Sequence, residues 1–566
     1  MNAIFDDSCR WPRRLLHVPT MTSHRWALGD RYGEHESPRY VVLSYTWGRW
    51  RLGDDEAPEV PMLPVNGIDW SIPRVSPEAF KTGEMAAVLR CICDLASELA
   101  PVEHVWLDVA CIDQRVNSPE MAAEIGRQAR IFKGAYRAFI WLFKHDSAAV
   151  DSMHHSITEQ EGSWPFEYDR DLGVSLITKD YVDFLLSDPW FSSLWTLQEA
   201  HLRPDAIPLT REGQVWAFDG IRGDGEVSMP LGSILTRIQA TYDTVAAGVD
   251  GLASQGDRLQ YDKLVVALED SGLLAMNFHC PTSLLAVSAF RQVSRREDRV
   301  YGIMQVFDLR VGKSRPGADV ERDFSLEELE DELGAELNAT DPMLGQMHVY
   351  ASRPIPGKGW RIGPESRPAT SILLSYNSRT SKATTVPLAR MSTTILKDTG
   401  TTWGVFTGVQ VPLARLHKVW LAMANGHRWP QYFQPFTIAV DCVQDYDGLS
   451  VTSQRQNDYW DIVHKVAKAH SDAVVLLLGH HIDIPKAPRF PVDTIPVEDD
   501  AFIAAVGLIV VPYASGDYIQ GPVCRRIAVC SWKLHPEHSM LPFTHDLKSL
   551  LEGKGDHWAP SRIVFG

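Results

Sequence analysis

Residues 40–45 (YVVLSY) carry apolar or β-branched side chains with no polar alternation, the pattern of a strand buried on both faces. Turn-forming residues follow as far as residue 80, among them Gly48, Gly53, Pro58, Pro61, Pro64, Gly67 and Pro73. From Thr82 to Leu99 the period changes. Met85, Val88, Leu89, Ile92, Leu95 and Leu99 recur at helical spacing and predict one apolar stripe. Residues 104–109 (HVWLDV) read as a second buried strand. Ser118 and Pro119 then supply an N-cap and a first-turn proline for a second helix, with Met121, Ile125, Ala129 and Phe132 on its inner face. Residues 138–143 (AFIWLF) predict a third strand, and residues 144–186 a polar, less regular insertion. Asp188 and Pro189 open a third helix over 190–201 (WFSSLWTLQEAH). Strand–helix alternation of this kind builds a parallel α/β sheet with helices on its faces.

Downstream, residues 229–310 read as largely helical. Ser325 and Glu328 form a capping box for an acidic helix reaching Leu337, whose charges read as a solvated face. Short β-type runs occupy 340–420. A helix (YWDIVHKVAKAH) and a strand (AVVLLLG) occupy 455–482, and further strands 501–533. The expected organisation is an α/β module over 1–210 with its insertion at 144–186, a mostly helical extension over 211–340, and a mixed α+β region over 341–566.

A chain of 566 residues with 45% apolar and 22% charged content is long and apolar enough for more than one globular core. Its formal net charge of −17 repels nucleic acids and anionic lipid, which argues against nucleic acid as a partner. Eight cysteines are scattered, and residues 1–15 carry Asp6, Asp7 and several arginines where a secretory leader would be apolar. Free thiols, a reducing compartment and a cytoplasmic location are the expectation. The longest apolar run, 501–511, falls short of the roughly 20 residues of a spanning helix, so no membrane span is expected.

Most catalytic motifs fail on inspection. Gly312-Lys313-Ser314 lacks the upstream glycine of a phosphate-binding loop, where Phe307 stands, and Gly223-Asp-Gly225 lacks the third glycine of a dinucleotide fingerprint. Cys91 and Cys93 are two apart on a predicted helix and point in different directions, and no paired CxxC or HExxH is present, so no metal is expected. His480 and His481 follow an apolar strand and read as the polar end of a loop.

Three ordered segments are more specific: YVVLSYTWG (40–48), VWLDVACIDQ (105–114) and PWFSSLWTLQE (189–199). They resemble the "ALSYxWG", "WIDxLCIDQ" and "WFxRxWxxQE" stretches of the HET (heterokaryon incompatibility) domain of filamentous fungi. IFKGAYRAFIWLF (131–143) and RREDRVYGIM (295–304) resemble two further stretches of that family. The likeness covers roughly 15–205 plus 290–310. Ser193 stands where the family usually has arginine, Ala110 where leucine is usual, and Phe143 where glycine ends the third strand.

HET domains are in turn similar to TIR domains, so the resemblance implies a flavodoxin/TIR-like parallel sheet. Ser44-Tyr45 matches the Ser-aromatic pair ending a TIR first strand, and Trp195 to Glu199 matches the Trp-to-Glu spacing of the helix that carries the catalytic glutamate of NAD-cleaving TIR enzymes. By that resemblance Glu199 is the catalytic candidate. Ser44, Tyr45, Thr46, Trp47, Gly48, Asp108, Asp113 and Trp195 are the candidate nucleotide-binding residues. NAD would be a substrate, and no cofactor is required.

The chemistry is consistent with these residue types. Trp195 and Glu199 share a helix face, and a carboxylate beside an indole in a crevice is desolvated. Nicotinamide leaves NAD as a neutral molecule, so one carboxylate that stabilises the ribosyl cation is sufficient in kind. Tyr45, Trp47 and Trp195 offer faces for a ring. Against this stand plain packing roles for Trp47, Trp106, Trp141, Trp190 and Trp195, capping roles for Asp108 and Asp113, strand termination for Ser44, and a salt-bridged structural role for Glu199. The leading expectation is a signalling effector of self/non-self recognition or cell death with NAD nucleosidase activity. The alternatives are a non-enzymatic module acting through self-association or a protein partner, and a pseudoenzyme that binds a nucleotide as a regulatory ligand.

Overall fold

In this computed structural model the described residues are 10–53, 55–115, 117–160, 177–218, 227–248, 255–277, 284, 288, 291–363, 366–369, 381–396, 400–426, 436–449, 459–485, 502–513, 523–534 and 553–566. Gly223 and Gly225 lie outside them, as do Cys9 and Cys280. The chain divides into two compact units: residues 1–277 with 287–326, and residues 278–286 with 327–566.

The first unit is built on an eight-stranded sheet. Its strands are β1 (Arg14–His17), β2 (Thr22–Ala27), β3 (Arg31–Tyr32), β4 (His35–Glu36), β5 (Tyr40–Ser44), β6 (His104–Trp106), β7 (Arg137–Trp141) and β8 (Ile207–Leu209), in the order 4-3-2-1-6-5-7-8. The parallel part is β6-β5-β7-β8: β5 pairs parallel with both β6 and β7, and β7 with β8. All five residues of β5 are buried, as a central strand requires. The expected purely parallel sheet needs one correction. The antiparallel ribbon β1–β4 extends it, because Leu16 and His17 of β1 pair antiparallel with Val105 and His104.

The helices sit much where the pattern puts them. α1 (Thr82–Ala96) buries Met85, Val88, Leu89, Ile92 and Cys93 but ends before the expected Leu99, which is exposed beyond it. The predicted second strand ends early: residues 108–111 turn into the single-turn helix α2 (Asp108–Cys111). Ser118 caps α3 (Pro119–Ile125) by accepting from the Met121 amide, and the helix breaks at Gly126 before α4 (Gln128–Gly134). The insertion expected to be irregular is helical at both described ends, α5 (Ser147–Gln160) and α6 (Lys179–Ser187). After a short 3-10 turn (Pro189–Ser192), α7 (Leu194–Leu202) leads into β8. Two buried contacts lock α7 down. Gln198 donates to Gln128 of α4 (2.9 Å), and Arg203 donates to the Phe132 and Ala135 carbonyls at 3.0 and 2.9 Å.

The second unit holds another eight-stranded, mainly antiparallel sheet. Strand Thr402–Pro412 pairs with Val474–Pro485, Arg390–Ile395 and Ala559–Phe565; among the described strands of this sheet, only Ala559–Phe565 and Val523–Leu534 pair in parallel. Helices Leu413–Gly426 and Tyr459–Ala469 contribute Leu416, Trp420, Ile462 and Val463 to its larger core. Two expectations are corrected here. His480 and His481 lie within strand Val474–Pro485, not at its loop end, and His481 is fully buried. The acidic helix Leu326–Thr340 is not merely solvated. Its Glu330 pairs with buried Arg361 (2.7 Å) and its Asp331 with Lys358 (2.6 Å), because two basic residues on the following loop need counter-charges.

No helix among the described residues is long and apolar enough to cross a membrane. No group of three or more His, Cys, Asp or Glu among them is arranged to hold a metal ion.

Candidate functional site

The carboxyl ends of β5, β6 and β7 lie where chain crossovers diverge from β5, the place at which open parallel α/β sheets hold their ligands. Ser44 is the last residue of β5. Its Oγ donates to Glu199 Oε2 and accepts from Trp190 Nε1 (2.7 Å). Trp190 is fully buried, and its position is fixed by Asp188, which accepts from the Trp190 amide (2.8 Å) and from the Lys144 amide (3.0 Å). Strand end, 3-10 turn and helix thus converge on one carboxyl group.

Glu199 keeps part of its side chain accessible, yet its carboxyl lies deep. Burial pushes its pKa up from 4.5 to about 8, the Ser44 bond opposes this, and the nearby Asp108 charge adds to it. Asp188 is raised to about 6, again by burial. Buried acids shifted out of their ordinary range mark a functional-site candidate.

Consecutive residues of an extended chain point to opposite faces. Ser44 turns toward α7, and Tyr45 turns to the α1 side, against Phe80. Tyr45 OH donates to Asp108 Oδ1 (2.8 Å), and Trp47 Nε1 to Asp108 Oδ2 (2.6 Å). Asp108 also accepts from the Val109 amide, and burial raises its pKa despite these three donors. The candidates therefore fall into two groups: Ser44 with Glu199, and Tyr45 and Trp47 with Asp108.

The remaining candidates are placed as follows. Thr46 is buried and its hydroxyl has no hydrogen-bond partner among the described residues, a loose end that a bound molecule could satisfy. Gly48 is exposed, with open space where a side chain would start. Asp113 is taken up by Arg115 (2.6 Å) and Ser118 (2.7 Å), which hold its carboxylate down at about 2. The Trp195 indole bonds Asp298, whose pKa is raised by burial.

Two residues outside the expected set shape the site. Trp190 fills the core as its residue type suggests, and its indole N–H also orients Ser44. Arg291 is fully buried, and its guanidinium donates to the Trp190 carbonyl (3.0 Å) and the Ser193 carbonyl (3.2 Å), with burial drawing its pKa down to about 9. A guanidinium thus reaches the corner where the HET-like motif lacks its arginine, from a segment about a hundred residues away. Only the motif gap at Ser193 signalled it.

Residues 40–199 match the family model described as "Heterokaryon incompatibility protein (HET)". The match begins with β5 and ends on Glu199 itself, so it spans the elements that build this site and supports the HET family for that segment. No curated protein and no solved structure matches the chain.

Proposed function

We propose that this protein acts in heterokaryon incompatibility or a related cell-death response, and that its first 210 residues form a TIR-like effector module that binds NAD and cleaves it through Glu199. The order second-first-third-fourth of its parallel strands is the order of flavodoxin-like sheets, which supports the TIR-like reading. The observation that carries the proposal is the Glu199 carboxyl, held by Ser44 at the switch point of the sheet with its pKa lifted to about 8.

In the proposed reaction the bond between ribose C1′ and the pyridinium nitrogen breaks, and its electron pair leaves with neutral nicotinamide. Water adds to C1′ and releases a proton, giving ADP-ribose. The Glu199 carboxylate stabilises the cationic ribosyl centre. A group with a pKa of about 8 is mostly protonated at neutral pH, and the positive pyridinium of the substrate favours its ionisation. Substrate charge thus prepares the group that acts on it.

The test is nicotinamide release from NAD by the purified full chain, at high concentration with a crowding agent, beside Glu199→Gln. Release that vanishes in the variant supports the proposal. No release from folded wild type refutes the hydrolase reading and favours the non-enzymatic module acting by assembly.

A further inference from the structure

On the α1 side of the sheet lies a cavity of about 530 Å³. Its walls include Tyr45, Trp47 and Phe80, with Ile72 and Met85 beneath and Gly83 at the start of α1. Neither Ser44 nor Glu199 contributes to it. Strand alternation explains why: Ser44 faces α7, and Tyr45 turns the other way. The turn-rich segment 58–77 forms the opposite wall through Pro61, Pro73 and Pro77.

Volume and lining are those of a small-molecule site, since ligand pockets run at roughly 300–1,000 Å³ and are mostly apolar with few polar groups. The polar atoms of the aromatic wall are already used, because the Tyr45 hydroxyl and the Trp47 indole N–H both donate to Asp108. These bonds fix both rings in place as part of the cavity wall. Charged groups, Lys81 and Glu59, are exposed and of opposite sign, so the lining carries no net charge to select an ion. Gly83 is exposed at the rim, and a Cβ added there would meet nothing within 4 Å, so a larger side chain has room at the mouth.

We propose that this cavity is a second ligand site, separate from the Glu199 carboxyl, which takes a small, neutral, planar aromatic molecule of one or two fused rings. The ligand stacks against Trp47 and Phe80, and its binding is driven by burial of its ring. Occupancy bears on Tyr45, the residue next to Ser44, so the cavity is placed to sense a compound other than the substrate.

The probe is prodan, a neutral two-ring naphthalene whose emission shifts to the blue in apolar surroundings. Titration of the folded full chain is expected to give a saturable blue shift. Gly83→Phe, which places a ring at the mouth from a helix position without backbone strain, is expected to weaken binding by about tenfold or more. Val60→Trp, on the facing loop, is a second filling variant should the first fail to fold. Glu199→Gln is expected to bind prodan as wild type does, and NAD is expected not to displace it. The proposal is overturned if wild type gives no saturable shift, if a folded filling variant binds as wild type does, or if NAD displaces the probe. The last result would make the cavity part of the dinucleotide site.

Discussion

Ser44 Oγ donates a hydrogen bond to the Glu199 carboxyl and accepts one from the Trp190 indole N–H, so a single hydroxyl joins two segments 155 residues apart in sequence. Removing it has two consequences. Ser44→Ala leaves a fully buried indole N–H without its acceptor, which costs about 1–3 kcal/mol. The variant also removes the interaction that lowers the Glu199 pKa, so that pKa rises further. Denaturant unfolding is expected to show the loss of stability, and any pH profile governed by Glu199 is expected to move to higher pH. Wild-type stability in a folded Ser44→Ala protein would contradict the contact.

Glu199 also sets a pH dependence of folding. Its carboxyl titrates near 4.5 when unfolded and at about 8 when folded, so between those values the folded state holds a proton that the unfolded chain has lost. Stability from this group is full below the lower value and declines as pH rises toward the upper one. Glu199→Gln removes the decline. Its stability relative to wild type is expected to increase across that window, by on the order of 2 kcal/mol at the upper end, a figure reduced because the side chain is partly open to solvent. A difference independent of pH would argue that the carboxyl is not desolvated.

The opposite slope is expected from the histidines of the antiparallel ribbon and the adjoining strand β6. His104 lies with its ring 5.0 Å from that of His17 and 4.7 Å from that of His35, and burial, then the neighbouring histidines, lower its pKa from 6.5 to about 3. His24, 6.1 Å from His17, is lowered as well, by burial first and then by His17, His35 and Arg14. The unfolded chain binds these protons first, so stability falls as pH drops below 6.5. His104→Phe is expected to flatten thermal stability over that acid range. An unchanged acid slope would show that His104 does not contribute to it.

Arg291 braces the turn that carries Trp190. Arg291→Met withdraws donors from two carbonyls and is expected to destabilise the fold by roughly 1–3 kcal/mol and to lower nicotinamide release. Arg291→Lys keeps one donor head and is expected to lie between the two. Full release by a folded Arg291→Met protein would show that the brace has no bearing on the site.

Much of this architecture can be read from the chain because long, regular segments announce themselves. YVVLSY gives β5, AFIWLF gives β7, and the stripe from Met85 to Ile92 gives α1, although the helix stops before Leu99. β1 and β8 are four and three residues long, and β8 carries Pro208, so no periodicity marks them. Of the site, Ser44 and Glu199 were legible through their motifs. The division of the candidates between two faces was not, because it depends on where extended chain ends and which helix covers each side. The cavity was hidden for a related reason: Pro61 and Pro73 read as turn residues, and nothing in a turn pattern tells whether its apolar side chains close over a space.

The most direct test of the central claim is the pH dependence of kcat/KM for nicotinamide release from NAD. If the Glu199 carboxylate is the acting group, kcat/KM rises with pH, reaches half its maximum near pH 8 and levels off above it, and is lost in Glu199→Gln. Release that persists in Glu199→Gln with the same pH profile would contradict the account.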